Sequence, residues 1–279
     1  MKLAILGSGS RGNALAIAEA GETLLVDAGF GIRAISRRSA SAGVALDSLS
    51  GIVITHEHGD HARGAPGLAR RSGCPVFATP GTLEMLSSQL EGVDCHRLTA
   101  AEPRSIGPFT VSVCRTNHDA AEPIAVTVEL CSGTKLGMAC DVGSPTRALR
   151  RLLHQCHCLV IEANHDDLLL RTSAYPASVR RRIAGSRGHL SNRAAADLLG
   201  ELCHERLETV VLVHLSAQSN TPELARQAVA PVLESRGFMG QLVIACQDEA
   251  IPTFSVASST SETPTPVLGT GSSSSRNAT

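Results

Sequence analysis

Short apolar runs rich in β-branched side chains recur along the chain, at residues 3–6, 23–26, 51–55, 75–78, 109–114, 124–130, 135–140, 158–162, 209–213 and 241–245. Gly, Asp, Asn and Pro bound them. Runs of this length read as buried strands, and helical segments lie between many of them. Ser144 and Pro145 predict an N-cap and a first-turn proline for a helix over 146–155. Ser191 caps a helix over 192–204, and Thr221-Pro222 starts another over 223–235. Pro231 should kink or shorten that last helix, because proline has no amide to donate and crowds the preceding turn. Hairpin-like pairs alternating with helices indicate an α/β class in which helices cover mixed sheets.

The pattern changes at the end. Among residues 257–279, 12 of 23 are Ser or Thr, with Pro264, Pro266 and no apolar run. Such a segment cannot bury enough surface to offset its ordering entropy, so a disordered tail is expected there. No repeat or linker interrupts residues 1–256, which read as one domain.

One motif invites a wrong turn. Gly7-Ser8-Gly9-Ser10-Arg11-Gly12 follows a strand, and Asp27 lies twenty positions past Gly7, which together match a dinucleotide-binding fingerprint. Only residues 13–20 separate Gly12 from Gly21, too few for a crossover helix. Residues 13–18 alternate as an inner strand, with Gly21-Glu22 as a turn into 23–26. The loop therefore reads as a tight strand-to-strand turn.

Composition narrows the partners. Lys and Arg number 25 against 26 Asp and Glu, a formal net charge of −1 over 279 residues. No global positive field gathers nucleic acid or an anionic membrane, so such a partner must meet a local patch. Five Phe, one Tyr and no Trp argue against a binder built on base-stacking platforms. The opening apolar run is too short for a signal peptide, and no later run approaches the roughly 20 apolar residues of a membrane span. A cytoplasmic protein with no membrane partner is expected. The nine cysteines, odd in number and never spaced as CxxC, fit reduced thiols. His154-Gln155-Cys156-His157-Cys158 is best read as a helix end running into a buried strand, since structural zinc sites usually pair two separated ligand knuckles.

The chemistry concentrates in Thr55-His56-Glu57-His58-Gly59-Asp60-His61, directly after the strand over 51–55. His56 and His58 can converge on one cation while Asp60 and His61 turn towards a second, and Gly59 permits the bend between them. Later strand ends supply further donors: His118 in Asn117-His118-Asp119, Asp141 in Cys140-Asp141-Val142, and His214 in Val213-His214-Leu215. Together they make two N/O-rich ligand sets, with Asp141 placed to bridge two metals.

At this point the chain resembles the metallo-β-lactamase-fold hydrolases. The shared features are HxHxDH, the preceding Val26-Asp27-Ala28-Gly29, and the later single His, Asp and His. The stretches Asn117-His118-Asp119-Ala120-Ala121-Glu122-Pro123, Glu162-Ala163-Asn164-His165-Asp166, Tyr175-Pro176 before Arg180-Arg181-Arg182-Ile183, Gly188-His189-Leu190-Ser191-Asn192 and His214-Leu215-Ser216 resemble the YycJ/WalJ type. Cys140 departs from the Thr expected in that type, and the Ser/Thr tail is additional. The resemblance spans about residues 1–256 and implies a four-layer αββα sandwich of two mixed sheets. It implies that His56, His58 and His118 hold one metal, that Asp60, His61 and His214 hold the other, and that Asp141 bridges. Asp27 would orient a ligand histidine. Similarity to ribonuclease Z-like enzymes implies a Glu162–His189 pair, with His189 protonating the leaving oxygen. Asp60, His189 and Glu162 are thus the candidate catalytic groups.

Two divalent ions, two aspartates and a shared hydroxide keep a net charge of about +1, suited to an anionic phosphodiester. With no thiolate among the ligands, Zn²⁺ and Mn²⁺ are both acceptable. Between Arg171 and Arg193 lie six arginines (171, 180, 181, 182, 187 and 193) and no acidic residue. Arginine forks suit a nucleic-acid backbone. Arg180, Arg181, Arg182, Arg187, His165 and Ser191 are candidate substrate contacts. The resemblance implies a DNA exonuclease acting from the 5′ end with a metal-bridging hydroxide as nucleophile. The alternatives are a small-molecule hydrolase of the same fold, acting on a thioester, lactone or cyclic phosphodiester, or a non-catalytic metal-binding regulatory protein. A shared fold does not decide among them.

Overall fold

The computed structural model describes residues 1–256. The expected disordered tail, 257–279, lies outside the described residues. Strands β1 (Lys2–Gly7), β2 (Ala14–Glu19) and β3 (Glu22–Val26) form an antiparallel meander. Then β4 (Leu49–Val53), β5 (Val76–Ala78) and β6 (Cys95–Arg97) extend it in parallel. A second sheet runs antiparallel through β7 (Arg104–Ile106), β8 (Phe109–Arg115), β9 (Ile124–Glu129) and β10 (Lys135–Ala139). It continues in parallel through β11 (Cys158–Glu162), β12 (Thr209–Val213) and β13 (Gln241–Ile244). The last strand, β14 (Ile251–Ser255), returns to pair with β1, so each sheet has seven strands among the described residues.

Alternate side chains decide the layers. Leu3, Ile5, Leu15, Ile17, Leu24 and Val26 of the first sheet meet Val111, Val113, Val126, Val128, Val160 and Val211 of the second in one buried layer. The opposite faces carry Ala4, Leu6, Ala16 and Leu25 on one side and Ile161, Val210 and Leu212 on the other. Helices cover both faces. Burial on both sides explains why the central strands read as unbroken apolar runs. The covering helices are α1 (Ile32–Ala42) and α3 (Ala65–Ser72) on the first sheet. On the second they are α5 (Arg147–Leu153), α8 (Asn192–Leu202) and α9 (Pro222–Ser235). The expected αββα sandwich is the observed one. No helix among the described residues is long and apolar enough to cross a membrane.

Several local expectations change. Thr146, not Ser144, caps α5, its Oγ1 accepting from Leu149 N at 3.1 Å. The Ser144 hydroxyl is engaged elsewhere, accepting from Asn117 Nδ2 at 2.8 Å and donating to Ser186 O at 3.2 Å. Helix α9 continues through Pro231 to Ser235, because that residue is exposed and the carbonyl it leaves without an amide can turn to water. Strands β6 and β7, of three residues each, are too short for a period-2 signal. Pro252 sits in β14, at an open sheet edge where a missing amide costs little.

The glycine loop joins β1 to β2 as an antiparallel hairpin, which excludes the dinucleotide-binding arrangement. Its polar groups point inward. Ser8 Oγ donates to Asn13 Oδ1 at 2.7 Å and accepts from His214 N at 2.8 Å. The cluster at 154–158 behaves as a helix end. Cys156 and Cys158 are buried free thiols, and His157 Nδ1 accepts from Lys135 N. None of its residues belongs to a metal-holding group among the described residues.

Candidate active site

The candidate residues meet where the parallel strands of both sheets reach their C-terminal ends, the usual place for a site in an open α/β sheet. Asp27 follows β3, Thr55 and His56 follow β4, Asp141 follows β10, Glu162 closes β11 and His214 follows β12. Asp27, Asp141 and His214 have φ of 61°, 55° and 57°. This left-handed conformation costs a non-glycine residue roughly 1–2 kcal/mol. It breaks the strand's alternation and swings each side chain into the cleft between the sheets.

Asp60 and His61 ride on a one-turn helix, α2 (Gly59–Ala62). Backbone bonds fix that turn: Asn13 N donates to Asp60 O and Ala28 N to His61 O, both at 2.7 Å. The Asp60 carbonyl lies so close to Gly29 that a Cβ there would collide with it. That contact is the physical content of the glycine in Asp27-Ala28-Gly29.

The ligating atoms form overlapping groups, each with atoms within 4.8 Å of one another. Three of them are His56 with His58 and His118, Asp60 with His61 and His214, and His56 with His61 and Asp141; the fourth joins Asp141, Glu162, His189 and His214. Asp141 stands between the first two: its Oδ2 is 2.6 Å from His61 Nε2 and 3.4 Å from His56 Nε2. Three buried polar atoms at this centre have no hydrogen-bond partner among the described residues, namely His56 Nε2, His214 Nε2 and Asp141 Oδ1. Unpaired buried polar atoms are costly, and a divalent cation is what this donor set would satisfy.

The electrostatics agree. Burial, then the neighbouring His61, holds His56 well below the usual histidine range, so its ring keeps a free lone pair. Burial also lowers His118. At Asp141 burial opposes ionisation, but His214 and His61 outweigh it and hold the carboxyl well below its usual range. At His61 burial is likewise outweighed, by Asp27 and Asp141, which lift the ring to about 10. The carboxylates that hold a proton on His61 and raise His214 favour positive charge at this spot, and His56 and His118 keep free lone pairs beside it. The residues fit divalent metal binding.

Outer contacts orient the ligands. Asp27 Oδ2 lies 2.7 Å from His61 Nδ1, as expected for a carboxylate that aims a ligand ring. The same carboxylate accepts from Thr55 N at 2.8 Å and from Thr55 Oγ1 at 2.9 Å. Thr55 Oγ1 in turn lies 3.0 Å from His56 Nδ1. One buried aspartate thus orients a histidine of each ligand set, one directly and one through a hydroxyl. The Thr55 link was not read from sequence, although its place directly before His56 was the available signal. Asn13 was missed as well; its Nδ2 lies 3.1 Å from His61 Nε2. Replacing Asp27 by Asn is expected to lower metal affinity by roughly 10–100-fold, the usual effect of losing such a partner. Metal titration followed by elemental analysis would check it, and an unchanged affinity would refute the orienting role.

Glu162 and His189 form the expected pair. Glu162 is fully buried, and its Oε1 lies 2.7 Å from His189 Nδ1 and 2.9 Å from His214 Nδ1. Its Oε2 accepts from Val142 N at 2.9 Å and Leu190 N at 3.1 Å. Burial opposes its charge, but His189 and His214 outweigh it and hold the carboxyl below its usual range. Burial likewise disfavours His189⁺, yet Glu162 and Asp141 raise the ring to about 9.

The substrate candidates separate. Arg182 NH1 pairs with Asp119 Oδ2 at 3.1 Å, and Asp119 Oδ1 lies 3.2 Å from His118 Nε2. Arg187 NH2 donates to His118 O at 3.2 Å. Arg180 NH1 donates to Ser173 O at 3.1 Å and Tyr175 O at 3.0 Å. Arg182 and Arg187 therefore brace the His118 segment and Arg180 braces the 173–176 turn, whereas the Arg181 side chain is exposed and makes no polar contact among the described residues. Ser191 Oγ accepts from Ala194 N and caps α8. His165 is buried outside the metal-holding groups, its Nε2 4.0 Å from Asp167.

Known proteins share this sequence pattern and fold. The family described as Beta-lactamase superfamily domain matches residues 22–215. Exodeoxyribonuclease YycJ of Bacillus anthracis is 32% identical over 241 residues, covering 85% of this chain and 91% of that protein. Exodeoxyribonuclease WalJ of Streptococcus pneumoniae is 30% identical over 233 residues, covering 82% and 86%. Among solved structures, the metallo-β-lactamase-fold protein YhfI of Bacillus subtilis superposes with a TM-score of 0.68 at 17% identity, over 89% of this chain and 98% of that one. The chain belongs to the metallo-β-lactamase-fold metallohydrolases, a family of metal-dependent hydrolases, and within them to the YycJ/WalJ type.

Proposed function

We propose that this protein is a dinuclear-metal phosphodiesterase that degrades DNA from the 5′ end, with Zn²⁺ or Mn²⁺ as its ions. The observation that carries the reading is the pair of adjoining donor sets with Asp141 between them. His56, His58 and His118 would hold one ion and Asp60, His61 and His214 the other, with Asp141 facing both. Bound there, divalent cations would lower the pKa of a water and draw charge from the phosphoryl oxygens.

The remaining work falls to the chain's own side chains. Asp27 and Thr55 keep two ligand rings in register. Glu162 holds His189 by Nδ1 and keeps it protonated, and Nε2 has no partner among the described residues, on a side chain that stays 14% exposed. That nitrogen is the proton donor to the leaving oxygen, a role that suits a group raised to about 9. A nucleic-acid substrate is supported by the names of the relatives that align over most of this chain, and DNA over RNA rests on those same names.

The decisive experiment incubates the metal-loaded protein with 5′-labelled duplex DNA, single-stranded DNA, RNA and bis(p-nitrophenyl) phosphate. Early release of a labelled mononucleotide from DNA is the expected result. Cleavage of RNA alone would transfer the activity to RNA. A protein that holds both ions yet cleaves no phosphodiester would overturn the reading.

A further inference from the structure

We propose that the groove between α6 (Asp167–Thr172) and α7 (Ala177–Ile183) binds the nucleotide that carries the leaving oxygen. Its base would lie on the groove's apolar floor and its phosphate on Arg171 and Arg181. The proposal rests on the phosphodiesterase reading above and names a subsite for it.

The groove encloses about 360 Å³, within the roughly 300–1,000 Å³ typical of small-molecule sites. Leu170, Ala177 and Ala184 form the floor, and Arg171, Arg180 and Arg181 form the rim. Asp167 is the only carboxylate lining it among the described residues, so the rim is positive and complementary to a phosphate. The three guanidiniums are not equivalent. Two backbone carbonyls pin Arg180 as a fixed plane beside the floor. Such a plane can stack on a base face, which matters in a chain with so few aromatic rings. Arg171 and Arg181 are exposed and have no hydrogen bond or ion pair among the described residues, which leaves both forks open to phosphate oxygens.

Position assigns the leaving side. In the chain, α6 and α7 lie between Glu162 and His189, the pair proposed to protonate the leaving oxygen. One residue along α7 from the rim, Arg182 reaches Asp119, beside the ligand His118. The carbonyl of Ile183, next to groove-lining Ala184, accepts from His189 N at 2.9 Å, so the α7 end of the groove borders the site on the wall that carries His189.

Equilibrium dialysis of the metal-loaded full chain tests the proposal, with deoxyadenosine 5′-monophosphate, inorganic phosphate and deoxyadenosine as separate probes. The nucleotide is expected to bind at least tenfold more tightly than phosphate. The double variant Arg171→Ser/Arg181→Ser should weaken nucleotide binding at least tenfold, with metal content unchanged by elemental analysis. Ala177→Leu should weaken it too, because the added side chain fills the floor; Ala177 is exposed and helical, where leucine is well tolerated. In both variants the KM for an oligonucleotide should rise at least tenfold relative to that for bis(p-nitrophenyl) phosphate. Nucleotide affinity equal in the wild type and both variants would overturn the groove. Failure of the wild type to cleave bis(p-nitrophenyl) phosphate would instead strike the phosphodiesterase reading, and dialysis would still decide the groove.

Discussion

Asp141→Asn is expected to reduce the metal content from about two ions per chain to below one and to remove nearly all phosphodiesterase activity. Asparagine keeps the shape of the side chain and tolerates the left-handed backbone at φ 55°, so the substitution isolates the charge. The carboxylate is buried within reach of His56, His61, His189 and His214, and it is the anion the two donor sets share. Removing one partner from a buried charge pair costs roughly 3–5 kcal/mol, or about 10²–10⁴-fold in metal affinity. Elemental analysis after dialysis reads the first effect and hydrolysis of bis(p-nitrophenyl) phosphate the second. A variant that keeps both ions and its turnover would show that Asp141 does not join the two halves of the site.

The second large effect separates proton transfer from metal binding. His189→Ala should retain both ions, because His189 Nδ1 is committed to Glu162 and the two proposed ligand sets are complete without it. Turnover of a nucleic acid should nonetheless fall by about 10²–10⁴-fold, the usual contribution of a positioned acid or base. The loss should shrink for p-nitrophenyl esters, whose leaving group needs little protonation. One arrangement makes this a sharp test. Asp141, Glu162, His189 and His214 also present ligating atoms within 4.8 Å of one another. If His189→Ala releases metal, His189 is itself a ligand, within this alternative group that shares Asp141 and His214 with the proposed sets. Equal losses on both substrates with both ions retained would remove the proton-donor role.

Much of this was readable without coordinates. The strand-rich α/β pattern, the HxHxDH run and the single His, Asp and His at later strand ends are local signals. A buried strand demands an apolar run, and a metal demands several N and O donors close together. Ser191 and Thr221 as caps were likewise legible, because an N-cap hydroxyl serves an amide only three residues away. The Ser144 cap was misread because the choice between Ser144 and Thr146 depends on Asn117 and Ser186, which are remote in sequence. The glycine loop is similar: its spacing excludes a crossover helix, but only the folded chain shows Ser8 bonded to the His214 amide across 206 positions.

The arginines mark the clearest boundary. Composition identifies a positive segment from Arg171 to Arg193, and nothing in the sequence distinguishes its members. The fold assigns Arg180 to two carbonyls, Arg182 to Asp119 and Arg187 to the His118 carbonyl, and leaves Arg171 and Arg181 unpaired. The sequence by itself determined which residues carry donors and which runs are buried, because residue type and spacing suffice for both. The tertiary structure alone decided which donors converge, that Thr55 links Asp27 to His56, and which guanidiniums remain open. Those outcomes depend on side chains brought together from both sheets by a shared buried layer, a relation between distant positions that no local pattern encodes.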